Sequence, residues 1–195
     1  MDEIEIPNPE ELGELKEKVF TRRVALTTAL FAVMLAITSL GGSNAMKEML
    51  LAQQEASNQW AFYQSKVMRE HLYKTNKELV GAILLERGAS LRPEAKSNYE
   101  TLLKNFENEE VRYRAEKGKI EEAAKHSENN RDVNRQKDPY FDYAEVLLQI
   151  AIVLASISIL SGIRLVFYFS IGAAVLGSLL SINGFNMLFH IPLFQ

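Results

Sequence analysis

Three long apolar runs limit what this chain can fold into, because each is long enough to cross a membrane. One lies near the N-terminus at 24–40, and two lie together near the C-terminal end at 146–163 and 165 to about 188. We predict that the transmembrane helices that contain these runs span 24–43, 138–163 and 164–189. About 20 apolar residues in a helix span the hydrocarbon core of a bilayer. A strongly polar segment, 44–137, separates the first run from the second. The layout predicts an all-α membrane protein with three transmembrane helices and one long extramembrane insertion.

The insertion has the pattern of two long helices joined by a short turn. Apolar residues recur at helical spacing on both sides of 88–93, where we place the tip. Gly88 is suited to end the first helix, and Pro93 is suited to the first turn of the second. We therefore predict an antiparallel helical hairpin, a coiled-coil stalk, between the first and second transmembrane helices.

The two arms of this hairpin, 44–88 and 93–137, each contain 45 residues. Equal arms suit a chain that leaves a membrane and returns to it, and a fully helical arm would be about 68 Å long at about 1.5 Å per residue. The return arm has almost no apolar residue at 127–136, so we expect part of it to be a loop. Asp138 and Pro139 then form a capped helix start for the second transmembrane helix.

Both ends of the chain are predicted to lie at the membrane surface. We predict that residues 1–23 form an acidic tail and a short amphipathic lead-in helix, with Asn8 as the cap of this helix and Pro9 as its first residue. Because these residues precede a long apolar run, we expect an uncleaved signal anchor rather than a cleaved signal peptide. At the other end, 190–195 read as an interfacial tail.

Small residues recur at helical spacing in two of the predicted transmembrane helices. In lipid, small residues let helix backbones approach closely, so such stripes are typical of helix–helix contacts. We expect the first stripe to pack against a helix of the same chain or of a neighbouring protomer, with a pore-lining face as the alternative. The stripes are Ala25, Ala29, Ala32, Ala36, Ser39 and Ser43 in the first helix, and Ala173, Gly177 and Ser181 in the third.

Glycines flank these stripes. Gly41 and Gly42 follow the first stripe, where they permit a bend, and Gly184 follows the second, where it permits a kink or a helix end.

Polar side chains lie on one face near the start of the second transmembrane helix. They are Glu145, Gln149 and Ser156. Polar residues inside a membrane often mark ion or proton routes, which makes this face a candidate polar membrane site. Acidic residues in the first turn of a helix are also favoured by its dipole, so an ordinary solvated helix start remains the alternative.

Aromatic residues cluster on the outgoing arm of the predicted hairpin. Trp60, Phe62 and Tyr63 are so close in sequence that they cannot all face one narrow seam. Pairing about the tip would place Trp60 near Ile120. The cluster is therefore either core packing between the arms or a patch for a partner.

The sequence carries no signature of catalysis or of a metal or cofactor site. It contains no cysteine, and His71, His126 and His190 have no metal-ligand spacing. It also lacks an HExxH motif, a glycine-rich phosphate loop and a nucleophile elbow. We predict that the protein is not an enzyme and holds no cofactor. With a net charge of -3, we expect no nucleic-acid partner.

Basic residues near the predicted membrane boundaries indicate an orientation. Arg22 and Arg23 precede the first transmembrane helix, and Arg164 lies between the second and third. Three crossings put these residues on one side, which the positive-inside rule assigns to the cytoplasm. The N-terminus is then cytoplasmic and the hairpin periplasmic, although Lys47 and Arg135 on the other side oppose this assignment.

Three stretches of the chain resemble a known protein family. They are VALTTALFAVMLAITSL at 24–40, NQWAFYQSKVMREHLY at 58–73 and EVLLQIAIVLASISIL at 145–160. The chain resembles a bacterial domain-of-unknown-function family, numbered four-three-three-seven, of small inner-membrane proteins. The resemblance implies a location in the bacterial cytoplasmic (inner) membrane and this architecture, and it implies no activity.

Together these features favour a membrane-anchored, homo-oligomeric structural or interaction protein whose stalk self-associates or docks a partner. Its expected partners are membrane lipid, further copies of itself and, as a further possibility, a larger membrane complex. The alternatives are a subunit of an oligomeric channel or transporter and an accessory subunit of a larger membrane complex.

Overall fold

The computed structural model describes residues 9–189, with side chains from residue 13 onwards. Within that range the protein consists of three helices and short connections, without any strand. The helices are α1 (Pro9–Arg87), α2 (Pro93–Ser161) and α3 (Arg164–Asn186). Each contains a segment long and apolar enough to cross a membrane, which confirms the all-α class and the three membrane-capable helices. The predictions for 1–8 and 190–195, including Asn8 and His190, lie outside the described residues.

The connection between α1 and α2 follows the glycine and proline signals. Helix α1 ends at Arg87, and the N–H of Gly88 still donates to the Leu84 carbonyl at 2.9 Å. Pro93, which has no N–H to leave unpaired, is the first residue of α2. Helix α1 continues through Gly41 and Gly42 without interruption.

Two predictions for the second half of α2 are wrong. Residues 127–136 are helical throughout, and Pro139 lies inside α2 instead of starting a helix. The first segment is poor in apolar residues but has polar partners: Arg131 donates to the Gln53 side-chain oxygen of α1 at 3.1 Å and to Asp132 at 2.8 Å. Polar partners therefore hold this segment in a helix without an apolar stripe.

The connection between α2 and α3 contains only Gly162 and Ile163. Gly162 has a φ of +68°, a left-handed conformation that favours glycine. At its other end α3 passes through Gly184 and stops at Asn186, three residues before the predicted boundary at 189. Met187 then adopts a left-handed conformation, and its N–H donates to the Asn183 carbonyl at 2.7 Å.

The chain divides into two compact units. Among the described residues, unit 1 comprises 9–48 and 133–189, and unit 2 comprises 49–132. Unit 1 therefore contains the start of α1, the end of α2 and the whole of α3, and it includes all three apolar segments. Unit 2 contains the remaining, mostly polar parts of α1 and α2.

In unit 1 the buried positions form one stripe on each helix. They recur every three or four residues on α2 and α3, and at spacings of seven, four or three residues on α1, as expected for helices that pack along their length. A core cluster is formed by Phe31 of α1, Leu148 and Ala151 of α2, and Ala174 of α3. The stripes are Val24, Phe31, Thr38, Gly41 and Ala45 on α1, Ala144, Leu148, Ala151, Ala155 and Ser158 on α2, and Ser170, Ala174, Gly177, Ser181 and Gly184 on α3.

In unit 2 the contacts between α1 and α2 pair residues in reverse order along the chain. Moving away from the turn, they are Gly81 with Leu103, Lys77 with Glu110, Glu70 with Arg114, Lys66 with Glu116, Trp60 with Glu128, and Gln53 with Arg131. Most of these contacts are ion pairs or hydrogen bonds. The two segments therefore meet along a seam that is largely charged and aromatic.

Candidate functional site

Phe141 of α2 lies at a point of close helix packing in unit 1. Its ring is 2% exposed and contacts Gly41 and Gly42 of α1 and Gly184 of α3. A Cβ added at Gly41 would lie 2.7 Å from Phe141 Cε1 and 2.6 Å from Phe185 Cζ. Phe141 and Phe185 also meet edge to face, with ring centroids 4.9 Å apart. The glycines therefore make room for an aromatic ring where helix bends were predicted.

Gly177 and Ser181 of the predicted α3 stripe are buried in unit 1, and Ala173 is partly buried. A Cβ added at Gly177 would lie 3.0 Å from the Ala144 carbonyl oxygen, so α2 and α3 are close at this level. The hydroxyl oxygens of Ser181 and Thr38 are 2.9 Å apart, and Thr38 Oγ1 is also 2.9 Å from the Met34 carbonyl oxygen. Because a hydroxyl has one proton, Ser181 donates to Thr38 while Thr38 donates to Met34.

The predicted small-residue stripe of α1 lies elsewhere. Each of its six members, Ala25, Ala29, Ala32, Ala36, Ser39 and Ser43, is exposed within the chain. The face of α1 that packs inside unit 1 is centred about 145° away around the helix, at 3.6 residues per turn. A third face carries large apolar side chains, all more than half exposed: Leu26, Leu30, Val33, Ile37 and Leu40. The six small residues therefore form an uncovered flat strip, called the alanine face below.

The predicted polar face of α2 also points away from the interior of unit 1. Gln149 and Ser156 are exposed, and Glu145 is partly buried. The Ser156 hydroxyl is satisfied within its own helix, because it donates to the Ile152 carbonyl at 2.9 Å. The Gln149 side chain is exposed, although the preceding residue, Leu148, is buried.

A charged network joins α1 and α2 at the centre of unit 2. Glu110, of which 5% is exposed, accepts from Lys77 at 2.5 Å and from Arg114 at 2.8 Å. Arg114 reaches Glu70 at 3.1 Å, and Lys117 reaches it at 2.5 Å. The buried Glu110 and the partly buried Glu70 are thus each paired with two cations, which compensates the cost of withdrawing their charges from water.

The carboxyl groups of unit 2 respond to these partners. Burial raises the pKa of Glu70, but the hydrogen bonds and charges of Lys117 and Arg114 outweigh burial and hold it below its usual value of 4.5. The hydrogen bond from Lys77 lowers the pKa of Glu110. These groups stay ionised at neutral pH, which suits a structural ion-pair network rather than proton transfer.

The aromatic cluster of α1 divides between the interior and the surface. The indole N–H of Trp60 donates to Glu128 at 3.0 Å, and its ring meets Tyr63 edge to face at 5.3 Å. Phe62 is 52% exposed. The hydrogen-bond partner of Trp60 lies about two helical turns beyond the predicted neighbour, Ile120.

The described residues offer little for chemistry. They contain no group of histidine, cysteine, aspartate or glutamate side chains that could hold a metal ion. His71 and His126 are exposed on different helices. The arrangement is suited to helix packing and to charge pairing, and the surfaces it leaves uncovered include the alanine face, Gln149 and Phe62.

Comparison with known proteins gives a family but no activity. Residues 20–187 match the family described as domain of unknown function DUF4337, and the chain belongs to this family. The match confirms the family resemblance that the three sequence stretches indicated. No curated protein and no solved structure matches the chain.

Proposed function

We propose that this member of the DUF4337 family is a homo-oligomeric, non-enzymatic structural or interaction protein of the bacterial inner membrane, in which protomers pack through the alanine face. The three apolar helix segments support insertion in a membrane. The single observation that carries the oligomer is that all six small residues of the alanine face are exposed. In lipid, faces of small residues associate because the backbones can approach closely.

The polar unit is proposed to act as an antiparallel coiled-coil hairpin on the periplasmic side, with the N-terminus in the cytoplasm. The reversed order of the contacts in unit 2 supports the hairpin, and the exposed ring of Phe62 supports a contact with another hairpin or a partner. The basic residues Arg22, Arg23 and Arg164 support the orientation.

Cysteine cross-linking in membranes tests the alanine face directly, because the chain has no native cysteine. Ala32→Cys and Ala36→Cys should form disulfide-linked dimers on oxidation, since a disulfide requires Cα atoms within about 7 Å. Val33→Cys and Ile37→Cys, one residue further on, place the thiol on the large apolar face and should not cross-link. Equal cross-linking from both faces would overturn the proposal.

A mass measurement in mild detergent gives an independent test. The native protein should form particles with a mass greater than that of a monomer. Ala36→Leu should lower the mass of these particles, because a large side chain keeps the helix backbones of two protomers apart. Ile37→Leu changes only the neighbouring face and should leave the mass unchanged. A strictly monomeric native chain would contradict the homo-oligomer.

A channel or transporter subunit is the second candidate, and the exposed amide of Gln149 favours it. A polar side chain on the outside of an apolar segment needs a partner or water, and a ring of such residues in an oligomer can line a path. Reconstituted protein should then pass ions, and Gln149→Leu should reduce the flux. The absence of flux under every gradient and potential tested would count against this role.

The same exposed amide suits an accessory subunit of a larger membrane complex, because a different protein can cover it equally well. Purification from native membranes distinguishes this role, since other proteins should then co-purify at fixed stoichiometry. A preparation that contains only this chain would argue for self-assembly.

A further inference from the structure

A groove in unit 1 lies between the start of α1 and the start of α3, at one end of two membrane-capable segments. It encloses about 410 Å³, which is within the range of ligand-binding clefts. Three basic side chains line it, Lys16 and Arg23 from α1 and Arg164 from α3. The rest of the lining is aromatic and aliphatic. We call it the basic groove.

Aromatic contacts fix the floor of the basic groove. Phe20 of α1 meets Phe167 of α3 edge to face, with ring centroids 5.9 Å apart and planes at 89°. The Arg164 guanidinium lies 5.8 Å from the centre of the Phe20 ring. Tyr168, 66% exposed, lies beside them in the lining. The groove therefore combines an ordered apolar floor with a cation held above it.

The three cations have no acidic partner among the side chains that the structure describes. The nearby Lys18 differs, because it lies 3.7 Å from Glu14, on a different face of α1. The N-terminus of α3 adds to the positive potential of the groove. Ile163 provides no side-chain cap, and the first turn of α3 has no acidic residue, so its first backbone N–H groups favour an anion.

We propose that the basic groove binds the headgroup of an anionic phospholipid. A phosphate matches the guanidinium groups of Arg23 and Arg164, which can each donate two hydrogen bonds to it. The apolar floor matches the start of the acyl chains, which a free phosphate does not have. Basic clefts between membrane helices are suited to acidic lipid headgroups. The inference rests on the proposed insertion in a membrane, but it does not depend on oligomerisation or on orientation.

Lipid titration of the purified full chain tests the proposal. Phosphatidylglycerol and phosphatidylcholine are added separately to the protein in detergent, and bound lipid is counted by native mass spectrometry. The native chain should retain phosphatidylglycerol in preference to phosphatidylcholine. Lys16→Gln/Arg23→Gln/Arg164→Gln should weaken phosphatidylglycerol binding about hundredfold, because each basic residue near an anionic lipid contributes about 1 kcal/mol and 1.4 kcal/mol is a factor of ten.

The matched control is Lys18→Gln/Arg22→Gln/Lys47→Gln, which removes the same charge from unit 1 outside the basic groove. It should bind phosphatidylglycerol within about threefold of the native chain, and an equal loss in both triple variants would overturn the proposal. Glycerol 3-phosphate forms a third arm, and binding as tight as that of the lipid would assign the groove to a soluble phosphate instead.

Two outcomes separate this inference from the proposed function. If the native chain inserts in bilayers but shows no preference for phosphatidylglycerol, the basic groove is refuted and the membrane protein stands. If the chain does not insert in bilayers at all, the proposed membrane function is refuted, and the proposed lipid site is refuted with it. The lipid preference of the native chain decides the question even if the triple variant does not fold.

Discussion

Units 1 and 2 are both built from long helices, but the contacts that join their helices differ. Unit 1 buries small residues such as Gly177 and Ser181 and leaves Leu26 and Leu30 66% and 58% exposed. Unit 2 buries Glu110 among cations as well as a few apolar residues, and it leaves many of its large apolar side chains exposed. The same secondary structure therefore has two different interiors.

The difference follows from the solvent that each unit is suited to. In lipid, large apolar side chains gain nothing by leaving the surface, so helices associate through close packing of small residues. In water, a pair of long helices can be held by ion pairs only where the charges are mutually compensated and partly buried. The comparison predicts that the stability of unit 1 depends on side-chain volume at its helix contacts. It also predicts that the stability of unit 2 depends on the charge of its ion-paired side chains.

The largest expected effect comes from adding volume at Gly41. Gly41→Leu must displace the rings of Phe141 and Phe185, because even a Cβ there would lie within 3 Å of both. We expect a loss of about 3 kcal/mol in the stability of unit 1, at the upper end of overpacking effects. Unfolding of the purified protein in mixed detergent, followed by circular dichroism, measures it.

Gly172→Leu is the control for volume, since nothing lies within 4 Å of a Cβ added at Gly172. It should leave the transition unchanged or raise it slightly, because leucine favours a helix more than glycine does. Equal destabilisation by both substitutions would show that the close packing around Phe141 is not what holds unit 1 together.

Acid should weaken unit 2 more than unit 1. Carboxyl groups whose pKa is lowered in the folded state, Glu70, Glu110 and Glu116, bind protons more readily when unfolded. Their stabilising effect is therefore present at pH values above the unfolded pKa of about 4.5, and it is lost as the pH falls from there through the lower pKa of the folded state. Trp60, the only tryptophan, lies in unit 2, so its fluorescence during denaturation at pH 7 and pH 4 reports the change.

A variant separates these carboxyl groups from general effects of acid. Glu70→Gln/Glu116→Gln removes two of the three groups, so the denaturation midpoint of Trp60 should depend less on pH. If the native chain and the variant lose the same stability between pH 7 and pH 4, the ion pairs are not the cause.

The sequence predicts the helices of both units better than it predicts which faces meet. The small-residue rule places Gly177 and Ser181 at a helix contact, but it applies equally to the alanine face, which the chain leaves exposed. A stripe of small residues shows that another helix can pack closely against it, but it does not show which helix that is. The face of α1 that packs inside unit 1 mixes Val24, Phe31 and Thr38, and no composition rule distinguishes it.

Phe141 and residues 127–136 show two further limits. An aromatic residue near the start of an apolar run is typical of a membrane interface, yet Phe141 is buried. The sequence signal for the burial of Phe141 was the glycines at 41, 42 and 184, because glycines on two neighbouring helices leave room for one large ring. In 127–136 the expected loop followed from a lack of apolar residues, whereas polar partners such as Gln53 hold the helix.

Removing one carboxylate from the charged network of unit 2 should lower the stability of this unit less than acid does. Glu110→Gln leaves Lys77 and Arg114 without their shared carboxylate while keeping the shape of the side chain. The denaturation midpoint of Trp60 should fall clearly at pH 7, and less at pH 4, where the carboxylate is partly protonated in the unfolded chain. Glu122→Gln, an exposed position on the same helix, should cause little change. Equal midpoints for the two variants would mean that the network contributes nothing specific.

The smallest expected effect is the loss of the hydroxyl pair in unit 1. Thr38→Val keeps the shape of the side chain but removes the hydroxyl that lies 2.9 Å from Ser181. Hydrogen bonds between membrane helices contribute about 0.6 kcal/mol on average, and we expect a loss of about that size in detergent unfolding. Thr27→Val is the control, because Thr27 is partly buried and bonds only to its own helix, at the Arg23 carbonyl. A loss for Thr38→Val as large as that for Gly41→Leu would mean that unit 1, like unit 2, depends on polar pairs more than on close packing.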